Sequence, residues 1–170
     1  MRTLVMLVLL ALLPGLRPSA ATPRALAVFD FELIDTSLEG AMRGPRADEQ
    51  ARLESTSARL RQRLAESGRF ALVDMAPVAA EARASNLQAC GGCDVRLATR
   101  VGADLAITGT VQKVSNLILN MNIYIREAAS GRPLATVSAD LRGNTDESWA
   151  RALDWLVRNR LLAPEGGVLR

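Results

Sequence analysis

The chain has no histidine, one lysine (Lys113), two cysteines, and only three phenylalanines, two tryptophans and one tyrosine. Without histidine the Ser/His and Cys/His nucleophile systems are excluded, and the commonest general base is missing. No G-x-x-x-x-G-K-[ST] or G-x-G-x-x-G stretch is present, so nothing in the sequence argues for a nucleotide phosphate cradle. The scarce aromatics are not interleaved with basic blocks, which argues against nucleic-acid binding. Beyond the first residues no apolar run is long enough to cross a bilayer.

Those first residues read as an export signal. Met1-Arg2 is followed by the apolar run "TLVMLVLLALLPGL" and by "RPSAAT", a positive start, a core of signal length and small residues at a cleavage point. Residues 1–21 are the expected signal peptide, cut after Ala21, and residues 22–170 the single mature domain. Pro14-Gly15 interrupts the run, so a permanent anchor is disfavoured, and the expected location is the periplasm. Removing the leader takes Arg2 and Arg17, so 21 basic against 18 acidic residues become 19 against 18. The near-neutral balance gives no argument for an anionic partner.

The remaining chain alternates between strand and helix patterns. "ALAVFDFEL" (residues 25–33) is an almost continuous apolar run suited to a central strand. Residues 34–47, with Gly40, Gly44 and Pro45, lack periodicity and are expected to form a long loop. Leu53, Leu60 and Leu64 recur at helical spacing up to Gly68, "RFALVD" (69–74) is a second strand, residues 77–89 read as a helix with Pro77 in its first turn, and 94–104 as a short helix. Three alternating segments follow (105–114, 116–128 and 134–143), the last two joined by the turn "ASGRP". The order β-α-β-α-α-β-β-β-α predicts an α/β (α+β) domain: one mixed five-stranded sheet with helices packed mainly on one face.

Alternation divides the late strands into two faces. Leu117, Leu119, Met121, Ile123 and Ile125 are expected inward, with Ala135, Val137, Ala139 and Leu141; Asn116, Asn120, Asn122, Tyr124, Thr136, Ser138 and Asp140 are expected outward. Amides and hydroxyls both donate and accept hydrogen bonds, so this outward row is a candidate partner-docking face. In "GNTDESW" Asn144 is the expected cap of the last helix, with Glu147 completing a capping box. Trp149 falls on the apolar stripe and Trp155 to one side of it.

The stretches "LAVFDFE", "LAESGRFALVD", "GADLAITGTV" and "ASGRPLATVSADLRG" give the chain a fold-level resemblance to the α/β domain of the curli-secretion channel lipoprotein and to the amino-terminal domain of the Tol-system propeller protein. More specifically, "GADLAITGTVQKVSNLILNMNIYIREAASGR" and "DLRGNTDESWARALDWLVRNRLL" resemble a family of small exported bacterial proteins carrying a domain of unknown function. That family implies no activity. The curli comparison implies a module docking on envelope machinery, although this chain lacks the lipidated cysteine and the long membrane-inserting hairpins.

Two further groups of residues are candidates. In an oxidising compartment Cys90 and Cys93 of "CGGC" are expected to pair, with Gly91 and Gly92 allowing the tight turn, as a local brace rather than a global staple. A redox pair, with Cys90 as nucleophile and Cys93 as resolving thiol, is the alternative, but the motif does not follow a strand as thioredoxin-like sites do. Two thiolates supply only half of a tetrahedral zinc site, which leaves a metal shared between two chains as the remaining metal reading. Asp30, Glu32, Asp35 and Asp74 meet at the expected carboxyl edge of the sheet, where α/β folds place ligands, and are the alternative ligand-binding set. The reading as a whole is of an exported, non-enzymatic module that needs no cofactor and binds another envelope protein or a second copy of itself.

Overall fold

A computed structural model describes residues 23–169; the expected signal peptide lies outside the described residues. The chain forms β1 (Arg24–Asp35), α1 (Leu38–Arg43), α2 (Ala47–Glu66), β2 (Phe70–Leu72), a 3-10 turn (Ala76–Val78), α3 (Ala79–Ala84), α4 (Cys93–Arg100), β3 (Leu105–Ser115), β4 (Ile118–Glu127), β5 (Pro133–Leu141) and α5 (Asp146–Leu156), which runs on into a π turn (Val157–Leu161). One five-stranded sheet has the order β2-β1-β3-β4-β5. β1 is parallel to β2 and β3, while β3, β4 and β5 are antiparallel. The architecture is the mixed α/β sheet that the sequence predicts.

The alternation of the strands builds two cores. On one face Val28, Ile107, Met121, Ile123 and Ile125 pack under Leu60 and Leu64 of α2 and Trp149, Leu153 and Leu156 of α5. On the other face Ala27, Phe29 and Ala106 meet Val78, Leu87, Leu97 and Ala98, so the segment from the 3-10 turn to α4 covers the β1–β3 part, reaching β4 only at its end, where Arg126 pairs with Asp94. The two longest helices therefore share one face, and among the described residues no helix covers most of the β4–β5 part of the opposite face. Gly109 in mid-β3 has a packing reason: a Cβ there would fall on the ring of Phe31 in the neighbouring strand.

Four local expectations are corrected. Residues 34–47 are not a loop: β1 continues to Asp35, and Ser37 Oγ accepts the N–H of Gly40 to start α1. α1 closes at Gly44, whose φ of 72° is freely available only to glycine. The helix expected over 77–89 stops at Ala84; after it the side chain of Asn86 accepts the N–H groups of Gln88 and Ala89, and this local competition turns the chain toward the cysteines. The cap of α5 is Thr145, which accepts the N–H of Ser148, rather than Asn144. Leu117 sits in the β3–β4 turn and is 74% exposed, not inward.

Candidate docking surface

The centre of the candidate site is the chain's single lysine. β3 alternates such that Val111 and Lys113 point to the same side as Ile107, and Lys113 is fully buried there. Its Nζ donates to Glu49 Oε1 on α2 at 2.6 Å, to Glu39 Oε2 on α1 at 3.2 Å and to Asp35 Oδ2 on β1 at 3.3 Å. Asn116 Nδ2 donates to Glu39 at 2.8 Å and Asn144 Nδ2 to Glu49 at 2.6 Å, while Trp149 Nε1 donates to Asn144 Oδ1 at 3.0 Å. One buried cation thus ties together β1, α1, α2, the β3–β4 turn and the start of α5.

Burial by itself would lower the pKa of Lys113, but the hydrogen bonds to Glu49, Glu39 and Asp35 outweigh it and hold the pKa above the ordinary lysine value. The Glu39 pKa is lowered by its bonds from Asn116 and Lys113. For Asp35, burial pushes upward, yet the bonds from Ser37 and Lys113 prevail and lower it.

This network holds an apolar apex in place. Leu38 and Met42, one turn apart on α1, are 77% and 76% exposed, and Val114 near the end of β3, Leu117 in the β3–β4 turn and Ile118 at the start of β4 are 52%, 74% and 61% exposed. Glu39 between the first pair and Asn116 beside the second are bonded to each other, which fixes the two apolar segments as neighbours. Ile34, also exposed, pairs in register with Gln112, and Gln112 with Asn120. The apex therefore runs by way of Gln112 into the open β4–β5 part of the sheet face, where the pairs Asn120–Asp140, Asn122–Ser138 and Tyr124–Thr136 lie side by side, while Thr110 and Thr108 of β3 beside them are buried.

The structure places most of the polar residues proposed from the sequence on that face. Asn120, Asn122, Tyr124, Thr136, Ser138 and Asp140 stand together on it, while Asn116 leaves the row for the turn and turns to Glu39. Asn120 Nδ2 donates to Asp140 at 2.8 Å and Ser138 Oγ to Asn122 Oδ1 at 2.5 Å, so part of their hydrogen-bonding capacity is already used. Asp30, Glu32, Asp35 and Asp74 border one cleft of about 1070 Å³ beside β1, although Asp35 is engaged by Lys113 and Asp30 by Arg61. Burial pushes the Glu32 pKa up, against the N–H of Leu87 that it accepts. Cys90 and Cys93 stand at disulfide distance, with Cα atoms 5.6 Å apart; Cys93 is buried at the start of α4 and Cys90 half-buried.

The apolar apex and Lys113 are absent from the sequence-based site. The inward parity of a lone lysine was the available signal, but its three acidic partners lie up to 78 positions away and no spacing links them. Among the described residues no group of three or more histidine, cysteine, aspartate or glutamate side chains is placed to hold a metal ion, and no helix is long and apolar enough to cross a membrane.

Fold and surface together define a mixed-sheet α/β domain with an anchored apolar apex and one open sheet face. Over residues 24–161 the chain matches the DUF3280 family, described as "protein of unknown function (DUF2380)", and it belongs to that family. A search of curated protein sequences finds no match. Among solved structures the chain is similar to the LpoB C-terminal domain from Escherichia coli, with a TM-score of 0.50 and 15% identity over 74% of this chain and 87% of that one. Two weaker likenesses are lipoprotein GNA1162 from Neisseria meningitidis (TM-score 0.45, 19% identity, 79% of this chain and 91% of that one) and a PelC dodecamer from Paraburkholderia phytofirmans (TM-score 0.48, 11% identity, 82% and 89%). At these identities the first likeness shows the fold.

Proposed function

We propose that this protein is an exported, non-enzymatic docking module that binds another protein of the cell envelope through its apex and the adjoining open sheet face. The observation that carries this reading is the cluster of Leu38, Met42, Val114, Leu117 and Ile118, exposed together and held in position by a buried ion network. Scattered exposed apolar residues need no explanation, but a contiguous group that the fold anchors is the mark of an interaction site. The amides of Asn120 and Asn122 add directional hydrogen bonding at its border. Export rests on the amino-terminal signal pattern, with cleavage after Ala21 and a periplasmic product.

The test is cross-linking in the native envelope, comparing the wild-type chain with a Leu117→Ser/Ile118→Ser variant and an Asn120→Ala/Asn122→Ala variant. Loss of one discrete cross-linked product in the first, and its weakening in the second, with unchanged circular dichroism, is the expected result. Retention of the same product by the apex variant would reject the reading.

A further inference from the structure

The cleft beside β1 is a second surface, separate from the apex. β1 is twelve residues long, but β2 pairs only with its first part, Arg24 to Leu26, and the last bond on that side runs from Val73 N–H to the Leu26 carbonyl. Farther along, the outward side of β1 is met by side chains: Arg61 donates to the Val28 carbonyl at 3.1 and 3.2 Å, and Ser57 Oγ accepts the Phe31 N–H at 2.9 Å. Thr36 N–H donates to the Lys113 carbonyl, so residues 34 and 36 face β3 and, by alternation, the N–H and C=O of Leu33 face away from it. Among the described residues no strand pairs with Leu33 on that side.

The stretch of β1 from Val28 to Asp35 forms the floor of the cleft. One wall comes from residues 44–54, including Pro45, Gln50 and Leu53, and the other from residues 73–87, including Val73, Met75 and Ala82. The walls are largely apolar, and five carboxylates (Asp30, Glu32, Asp35, Glu54 and Asp74) outnumber three arginines (Arg46, Arg61 and Arg83) around the cleft. Asp30 is paired with Arg61, Asp35 with Lys113, and Arg46 with Asp48 and Glu39. Glu32, which accepts the Leu87 N–H, Glu54 and Asp74 border the cleft and make no ion pair among the described residues, against one such arginine, Arg83, so the uncompensated charge is negative.

We propose that the cleft along the free edge of β1 receives an extended peptide segment of another protein, bearing arginine or lysine side chains and added as a further strand beside Leu33. The backbone of Leu33 supplies one donor and one acceptor, as strand addition requires. Glu32, Glu54 and Asp74 select cationic side chains, because a carboxylate and a guanidinium form the stronger, charge-assisted hydrogen bond. The cleft follows a strand, with β1 backbone along its floor, which favours an extended peptide over a compact ligand.

The test uses the purified protein and three fluorescein-labelled synthetic peptides: one of alternating arginine and valine, its glutamate counterpart, and the arginine peptide N-methylated at alternate amides. Saturable binding of the first alone, read by fluorescence polarisation, is expected, with about a tenfold loss of affinity in a Glu54→Gln/Asp74→Asn variant. In amide-resolved NMR the Leu33 N–H should gain exchange protection on binding. Equal binding of the N-methylated peptide would show attraction without strand pairing, displacement by arginine amide at equal concentration would show a small-cation site, and binding of none would leave the cleft without this role; each result overturns the proposal. The two substituted side chains are exposed at the rim, and the peptide comparison on the wild-type protein stands whatever their effect on folding.

Discussion

Lys113 Nζ and Glu49 Oε1 lie 2.6 Å apart, and neither side chain is more than 1% exposed. A buried pair of this kind contributes little beyond an apolar replacement of both partners, but removing one partner strands the other charge. Lys113→Met should therefore destabilise the protein by about 3–5 kcal/mol, and Lys113→Met/Glu49→Leu should recover most of the loss. Urea denaturation of the single and double variants checks this. Equal destabilisation in both would show that the bonds to Glu39 and Asp35, rather than the stranded Glu49, set the cost.

The same network gives a pH dependence with a definite sign. The folded pKa values of Asp35 and Glu39 lie below their ordinary 3.8 and 4.5, so the folded chain binds fewer protons than the unfolded chain in that range. Their contribution is fully present above those values and is lost as pH falls through the folded ones. Lys113 is raised above 10.5, so its contribution is present below that value and is lost as pH rises through the folded one. Amide exchange in α1 should accelerate on acidification below about pH 4 before the sheet opens, and Glu39→Gln should flatten that acid response.

The Cys90–Cys93 pair closes a very small ring, so reduction should change global stability by no more than about 2 kcal/mol. The effect should be local, with faster amide exchange over residues 86–93 and little change in β3. A loss of several kcal/mol on Cys93→Ser would show that the pair holds α4 onto the sheet rather than bracing a turn. Reductant-sensitive mixed disulfides trapped by Cys93→Ser would instead identify Cys90 as a nucleophile.

Gly109→Ala should cost about 1–3 kcal/mol, because the new methyl group meets the Phe31 ring in a packed core. The companion Phe31→Leu/Gly109→Ala should be less destabilised than the sum of its two single changes. Thermal unfolding of the three variants checks this.

How much of this was legible follows from the range of the interactions. The period-two pattern of β3, β4 and β5 is local, and it places Met121, Ile123 and Ile125 in the core and Asn120, Asn122 and Tyr124 outside it without reference to anything else. Trp149 and Trp155 are likewise separated by helical period alone, at 1% and 44% exposure. α1 is different: its six residues include a glycine and are too few to nucleate a helix unaided, and it stands because Glu39 reaches Lys113 from 74 positions away. Asn144 shows a local rule overridden. It has the right type and spacing for a cap, but Trp149 and Glu49 compete successfully for its amide, and the cap passes to Thr145. Gly109 was visible as a glycine in a strand, but Phe31, its reason, lies on another strand.

β1 also sets a direction for the whole molecule. The chain enters the sheet at Arg24 and reaches the Lys113 network at Asp35, a run of roughly 35–40 Å for a twelve-residue strand, with a register shift between Val28 and Phe31. The entry of the chain at Arg24 and the apex beside Asp35 therefore stand at opposite ends of one strand, flanked by β2 and β3. Strain applied at either end reaches the other through β1 alone, without passing along the helices.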